Sequence, residues 1–557
     1  MVLVLMRMMK LVLLRMMLLL TTMLLTTLKF LPHLQKSIYY YFHYFQIFSE
    51  NHSKQFQIHS DLLTVEILFM LLNYYIRHRL TQEALEDLLR MMNIITGTKT
   101  FPESFQTFSS LFDAYSCTPV RIYFCINCQY DYGANQPESA VTCPICESPE
   151  NDFFLITSIE PQLRETFEKY QLEIEQYTKV IDRDGIADVN RGMIARRLLQ
   201  NEPGKYLTLS INTDGAAPFR STTRKPLYPI FVTLNNLPPA IRFQKNNLMV
   251  AGLWLSKGEP NPNLLFKYLC IELRKLQEGI LIGGERYKVV LLQNCLDSVA
   301  RCKVQCSKQF NGEHGCTLCL HPGETRSTRN GRCYPQKASK MRENMITRKQ
   351  MDEVNSTGQE SYGIMGKSVF TYIENFDIIA GYPVDYMHAV DLGVIKQIIA
   401  LYTETENHKQ DYYIGRQIQV VNERMQSFRP PSSFPRNPRP LDEQKRYKAN
   451  EWEAFLLHYV YPSLYGILKQ PFLDHLIELS SVVFLLLDPN LAQSTIDACE
   501  KRIDEFVGQF EAHFGRDNMT YNIHLLTHLG YTARNTGALY NSSLFSYESG
   551  KIIYEFF

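Results

Sequence analysis

Two cysteine pairs do most to limit what this chain can fold into. Cys125-Ile-Asn-Cys128 and Cys143-Pro-Ile-Cys146 are separated by fourteen residues. Four thiolates around one tetrahedral ion need two close pairs brought together by a hairpin, and this spacing supplies them. The expectation is a structural zinc ribbon over 119–150, with the metal supplying much of the module's folding energy. The competing reading is four unligated core cysteines. The chain has 13 cysteines, an odd number, and several fall in C-x-x-C pairs. That usage reads as metal binding in a reducing compartment rather than a disulfide framework.

The 557 residues have room for roughly three or four domains. A net charge of +1 means that any polyanion must meet a local basic patch. Residues 1–50 form an apolar leader, interrupted early by Arg7, Lys10 and Arg15; its longest uncharged run, Met16–Leu28, is short for a membrane span. An appended leader, a buried or interfacial helix, and a signal or anchor all stay open, and no membrane partner is expected. The apolar end at Phe557 reads as a truncation.

Residues 51–118 read as a helical hairpin. Leu63, Ile67, Leu71 and Tyr75 share a face, and Thr81 caps a second helix through Leu85, Leu88 and Leu89. A DNA-binding helix-turn-helix is the weaker reading, because Glu83, Glu86 and Asp87 open that helix and would repel phosphates. Residues 151–204 read as a helical linker, led in by Phe153–Ile156. Strands follow at 206–213, 229–235 and 246–255, then a helix from Asn263 and a strand over 287–297. The order is β-β-β-α-β, with Asp214 and Asp297 at the ends of the first and fourth strands. Asp214-Gly215 has two readings, a hairpin turn or a strand-end metal carboxylate. Asp297 also has two, a helix N-cap or a metal ligand. Beyond it the pattern is mostly helical for about 250 residues. Two basic loops interrupt it, 322–350 and the Pro-rich 429–440 with Arg429, Arg436 and Arg439. Each is a solvated loop or a phosphate contact.

A set of motifs occurs in consistent order: SINTDGAAPF, YPIFVTLNNLPPAIR, NNLMVAGLWLSKGEPNPNLLF, FNGEHGCTLCLHPGE and PVDYMHAVDLGV. Together they resemble the transposase of CACTA (En/Spm-type) DNA transposons, and the metazoan transposase domain-containing proteins are similar. The likeness spans roughly residues 120–557. It implies an α+β fold with an RNase-H-like (retroviral integrase superfamily) mixed-sheet core and a large helical insertion. Residues 205–310 would be the first part of that core, 311–530 the insertion with a zinc knuckle, and 531–557 the core remainder.

The resemblance further implies a DDE triad of Asp214, Asp297 and, from FSYESGK, Glu548, holding a pair of Mg²⁺ or Mn²⁺ ions. Asp385-Tyr-Met-His388 matches a D-x-x-H signature of cut-and-paste transposases. His388 would orient DNA or a scissile phosphate, or else serve as a structural histidine. Similarity to Transib transposases and the related V(D)J recombinase points to a second zinc site at Cys316, Cys319, His524 and His528. Its rival is a local site using His314, His321 or Cys333. The implied function is phosphodiester hydrolysis and strand transfer at transposon ends on double-stranded DNA, in the nucleus, with a homodimer by analogy. The alternative is a domesticated or decayed transposase acting as a non-catalytic, zinc-dependent DNA- or protein-binding protein. A helix carrying Glu548 is expected to have little to pack against.

Overall fold

Thr81 accepts the Ala84 N–H at 3.1 Å, and Gly97 closes the same helix with φ 67°. These two caps fix the second helix of a hairpin, α1 Thr64–His78 and α2 Gln82–Thr96. Its core is Leu68, Leu71, Leu85, Leu89, Phe101 and Phe108. Glu86 turns inward and accepts the Phe105 N–H at 2.8 Å. This is a computed structural model, and it describes residues 64–550 apart from 79, 98, 112–118, 137–141, 182–184, 202–203, 216–224, 328–329, 433 and 435. The apolar leader of residues 1–50 lies outside the described residues. The chain divides into two compact units, residues 1–112 and 113–557.

In the second unit, strands assemble into one mixed sheet: β1 Val120–Cys125, β2 Asp131–Gly133, β3 Asn151–Ile156, β4 Tyr206–Asn212, β5 Leu227–Leu234, β6 Met249–Leu255, β7 Ile280–Ile282 and β8 Glu285–Cys295. Their order is β2-β1-β3-β6-β5-β4-β8-β7. Only β4 and β8 pair in parallel; the other neighbours are antiparallel. All seven β4 residues are buried, as a central strand covered on both faces requires.

Helix α3, Pro262–Gln277, crosses from β6 toward β7 and buries Leu265, Leu269, Leu273 and Leu276, the expected face. The sequence missed β7 because Gly283 and Gly284, at φ 58° and 81°, make the tight turn that folds it onto β8.

Two expectations are corrected. Residues 151–156, placed within a helical linker, form a strand paired with both β1 and β6, and the helices they lead into begin at Ile159. The ribbon is also not a separate module. Phe124 of β1 stacks on Trp254 of β6 with centroids 4.2 Å apart, and Ile122, Phe124 and Phe154 belong to the main core. Beyond β8 come α4, Ser298–Val304, and a largely helical region that includes π-helical turns at Met387–Ile395 and Phe455–Tyr459. It ends with α5, Tyr521–Leu526, and α6, Phe545–Gly550. Among the described residues no helix is long and apolar enough to cross a membrane.

Candidate metal centres and acidic site

Each cysteine pair of the ribbon forms the same turn. The N–H groups of Gln129 and Glu147 bond the Cys125 and Cys143 carbonyls at 2.8 Å, and the N–H groups of Cys125 and Cys143 bond the Tyr130 and Ser148 carbonyls. Gln129 and Glu147 take φ 57° and 59°, a conformation unusual for side-chain-bearing residues. Two strained turns of one shape bring Cys125 to 3.5 Å from Cys146 and Cys128 to 3.5 Å from Cys143, sulfur to sulfur. Burial disfavours the Cys143 thiolate, yet the N–H groups of Ile145 and Cys146 outweigh it and bring the pKa down to about 6.

The second group joins residues 205–212 positions apart in the chain. Cys319 Sγ lies 3.3 Å from His524 Nε2, Cys316 Sγ 3.5 Å from His528 Nε2, and the two imidazole nitrogens 3.2 Å apart. Zinc bound tetrahedrally sets ligand separations of about 3.8 Å between sulfurs, about 3.6 Å from sulfur to nitrogen and about 3.3 Å between nitrogens. Both groups match that figure closely, and in each all four ligand atoms lie within 4.8 Å of one another. Both tetrads can therefore hold a metal ion, and thiolate with imidazole suits zinc.

His524 and His528 do not share one unbroken helix. The chain turns after Leu526, and His528 begins the next helix, which aims the two rings at each other. His314, His321 and Cys333 fall outside the tetrad. His321 has both ring nitrogens engaged, with the Pro335 carbonyl and the Gly323 N–H.

At the C-terminal end of β4 and β8, Asn212 pairs with Cys295 in the parallel register. Asp214 and Asp297 each stand two residues beyond that pair, side by side at the same end of the sheet. The β4–β5 connection is much longer than two residues, so Asp214-Gly215 is not a tight hairpin turn. Gly215 serves close approach instead: a Cβ there would sit 2.8 Å from the Tyr228 ring. Tyr228 reports the local charge. Burial, then the carboxylate of Glu259, then Asp214 and Asp297 push its hydroxyl up to about 12. Glu259 also pairs with Lys303. Neither Tyr228 nor Glu259 was singled out from sequence, because both join the site only through tertiary contact. Asp297 is in addition the N-cap of α4, accepting the Ala300 N–H at 2.6 Å.

Glu548 reaches this end through His388. Asp385, buried, accepts the His388 Nδ1–H at 2.5 Å and the Leu544 N–H at 3.1 Å. His388 Nε2 lies 3.6 Å from Glu548 Oε1. Burial pushes the His388 pKa down, but Asp385 first and then Asp297 and Glu548 raise it overall. The expectation that α6 lacks packing is wrong. Tyr547 is 1% exposed and lies 2.9 Å from the Thr233 hydroxyl, anchoring the helix on β5. The three acids are not among the described groups whose ligand atoms all fall within 4.8 Å.

Much of the basic character of the two loops is spent inside the protein. Arg342 donates to the carbonyls of Cys316, His314 and Tyr362, and Arg348 to those of Thr371, Ile373 and Phe376. Arg439 forks onto both oxygens of Glu451. Comparison with protein-family models gives no match, and no curated protein matches the chain.

Proposed function

We propose that this chain is a DDE-type DNA transposase with an RNase-H-like core. The observation that carries the reading is the placement of Asp214 and Asp297 in one register beyond adjacent parallel strands, with Glu548 tied to the same end by the Asp385–His388 pair. The order of a three-strand antiparallel meander, a helix, and a fourth strand parallel to the first also supports that core.

Carboxylate oxygens are the donor set that Mg²⁺ and Mn²⁺ take. Asp214, Asp297 and Glu548 would hold them, and the charge felt by Tyr228 fits a site built for cations. Two ions about 3.5–4 Å apart need ligands spread wider than one tetrahedral cage. Bound there, such a pair activates the attacking oxygen and stabilises the leaving one. The chain's own residues arrange the site. Asp385 holds the His388 ring so that Nε2 faces Glu548, and Tyr547 fixes the helix behind it. DNA as the substrate rests on the motif resemblance.

One observation favours a non-catalytic binding protein: Asp297 already caps a helix. Purified protein, a DNA carrying an element end, and Mn²⁺ separate the two. Cutting that disappears in Asp214→Asn supports the transposase; tight binding with no cutting by wild type supports the alternative.

A further inference from the structure

Next to the acids lies an open cleft of about 510 Å³, within the range of small-ligand sites. One wall is the first cysteine knuckle, Asn127 to Gln129. A second is the strap Glu259–Pro262, and the third is the end of α4 with Met365. The walls are held in place. The tetrad fixes the knuckle, and the Gln129 side chain donates to the Glu259 carbonyl at 2.8 Å while accepting the Asn261 N–H. Helix α4 connects the cleft to the acids, since Asp297 caps its start while Cys302 and Lys303 near its end line the cleft. The lining combines an exposed amide at Asn127, apolar surface at Pro260 and Met365, and one ion pair, Lys303 with Glu259.

We propose that this cleft holds the nucleotide flanking the cleaved phosphate, so that the zinc ribbon forms a wall of the substrate site. An amide edge, an apolar wall and a single cation are the groups that a base and its phosphate engage. Lys303 exchanges its partner Glu259 for the phosphate when the strand enters. The inference rests on the proposed DNA-cutting activity.

The test uses the full chain and an end-bearing DNA with a single abasic nucleotide stepped along the strand beside the cleavage position. Met365 is 56% exposed, so Met365→Trp fills the cleft without disturbing the core. Asn127→Ala serves if that variant loses its thermal midpoint or zinc content. In Ca²⁺, the abasic nucleotide at the flanking position and the variant should each weaken binding about fivefold or more, the low end of what one hydrogen-bonded base edge is worth. The two losses should not multiply. Wild-type binding by both variants, or losses that multiply, overturns the proposal while Asp214→Asn still abolishes cutting. A folded, zinc-loaded wild type that neither binds nor cuts DNA removes the transposase reading, and this inference with it.

Discussion

Asp391→Asn should stabilise the protein increasingly as the pH rises. Asp391 sits in the π-helical turn Met387–Ile395, is 1% exposed, and has no hydrogen-bond partner for either oxygen. Burial first, then the carboxylates of Glu453 and Asp385, raise its pKa well above the usual range. The folded protein therefore keeps a proton that the unfolded chain releases above about pH 3.9. The sign follows directly. Stability is fully present below that unfolded value and is lost as pH climbs toward the folded one, at up to about 1.4 kcal/mol per pH unit. Asparagine keeps the shape and does not titrate, so it removes the slope. Between pH 5 and 7 wild type should lose stability relative to the variant, by at most about 2.7 kcal/mol. Urea unfolding at both values measures this, followed by tryptophan fluorescence. Only two tryptophans are present, and buried Trp452 adjoins Glu453, so the signal reports on this region. Glu453, whose pKa burial also raises, is present in both proteins and largely cancels. Parallel stability profiles for the two proteins would refute the reasoning, since they would mean that Asp391 is ionised and paired.

His528→Ala should lower the bound zinc from two equivalents to one, read by atomic absorption, and lower the thermal midpoint, because the second tetrad links chain segments about 200 residues apart. Asp188→Asn should cost about 3–5 kcal/mol in urea unfolding. It leaves Arg242, 1% exposed and 2.7 Å from that carboxylate, buried without its counter-charge. Gly215→Ala should cost up to about 1 kcal/mol, below the range for an overpacked core, by moving the outer end of the Tyr228 ring, and the cost should largely vanish in a Tyr228→Ala background.

Local physics made part of this structure legible from the residues alone. The Thr81 cap, the leucine face of α3 and the apolar runs of β4–β6 are short-range patterns, and each lies where the spacing placed it within a few residues. The first tetrad was legible because metal ligation fixes residue type as well as spacing; the second, whose halves lie about 200 residues apart, was reached only through the family resemblance. What stayed hidden depends on distant partners. Tyr228 and Glu259 join the acidic site through contacts across the sheet, and no periodicity marks them. The arginines of the basic loops looked like surface charge, yet Arg342 and Arg348 brace carbonyls of the interior. The helix of Glu548 looked unsupported because Tyr547 finds Thr233 more than 300 positions earlier in the chain.

The ribbon shows why spacing can identify a metal site and still misjudge its energetic weight. A free-standing ribbon would depend on its ion for folding. Here β1 and β3 continue the main sheet, and Ile122, Phe124 and Phe154 are each 1% exposed within the shared core. Burying side chains of this size is worth about 1.5–3 kcal/mol apiece. Asp131 adds a tie to α3 through Lys267 at 2.7 Å and Tyr268 at 3.0 Å. The strands therefore have support that does not pass through the metal, whereas the knuckles, with Gln129 and Glu147 at left-handed φ, rely on it. Loss of an ion bound there should loosen the turns and release the Gln129 clamp while the sheet persists, so such an ion would serve mainly to shape the surface of the knuckles rather than to fold the domain.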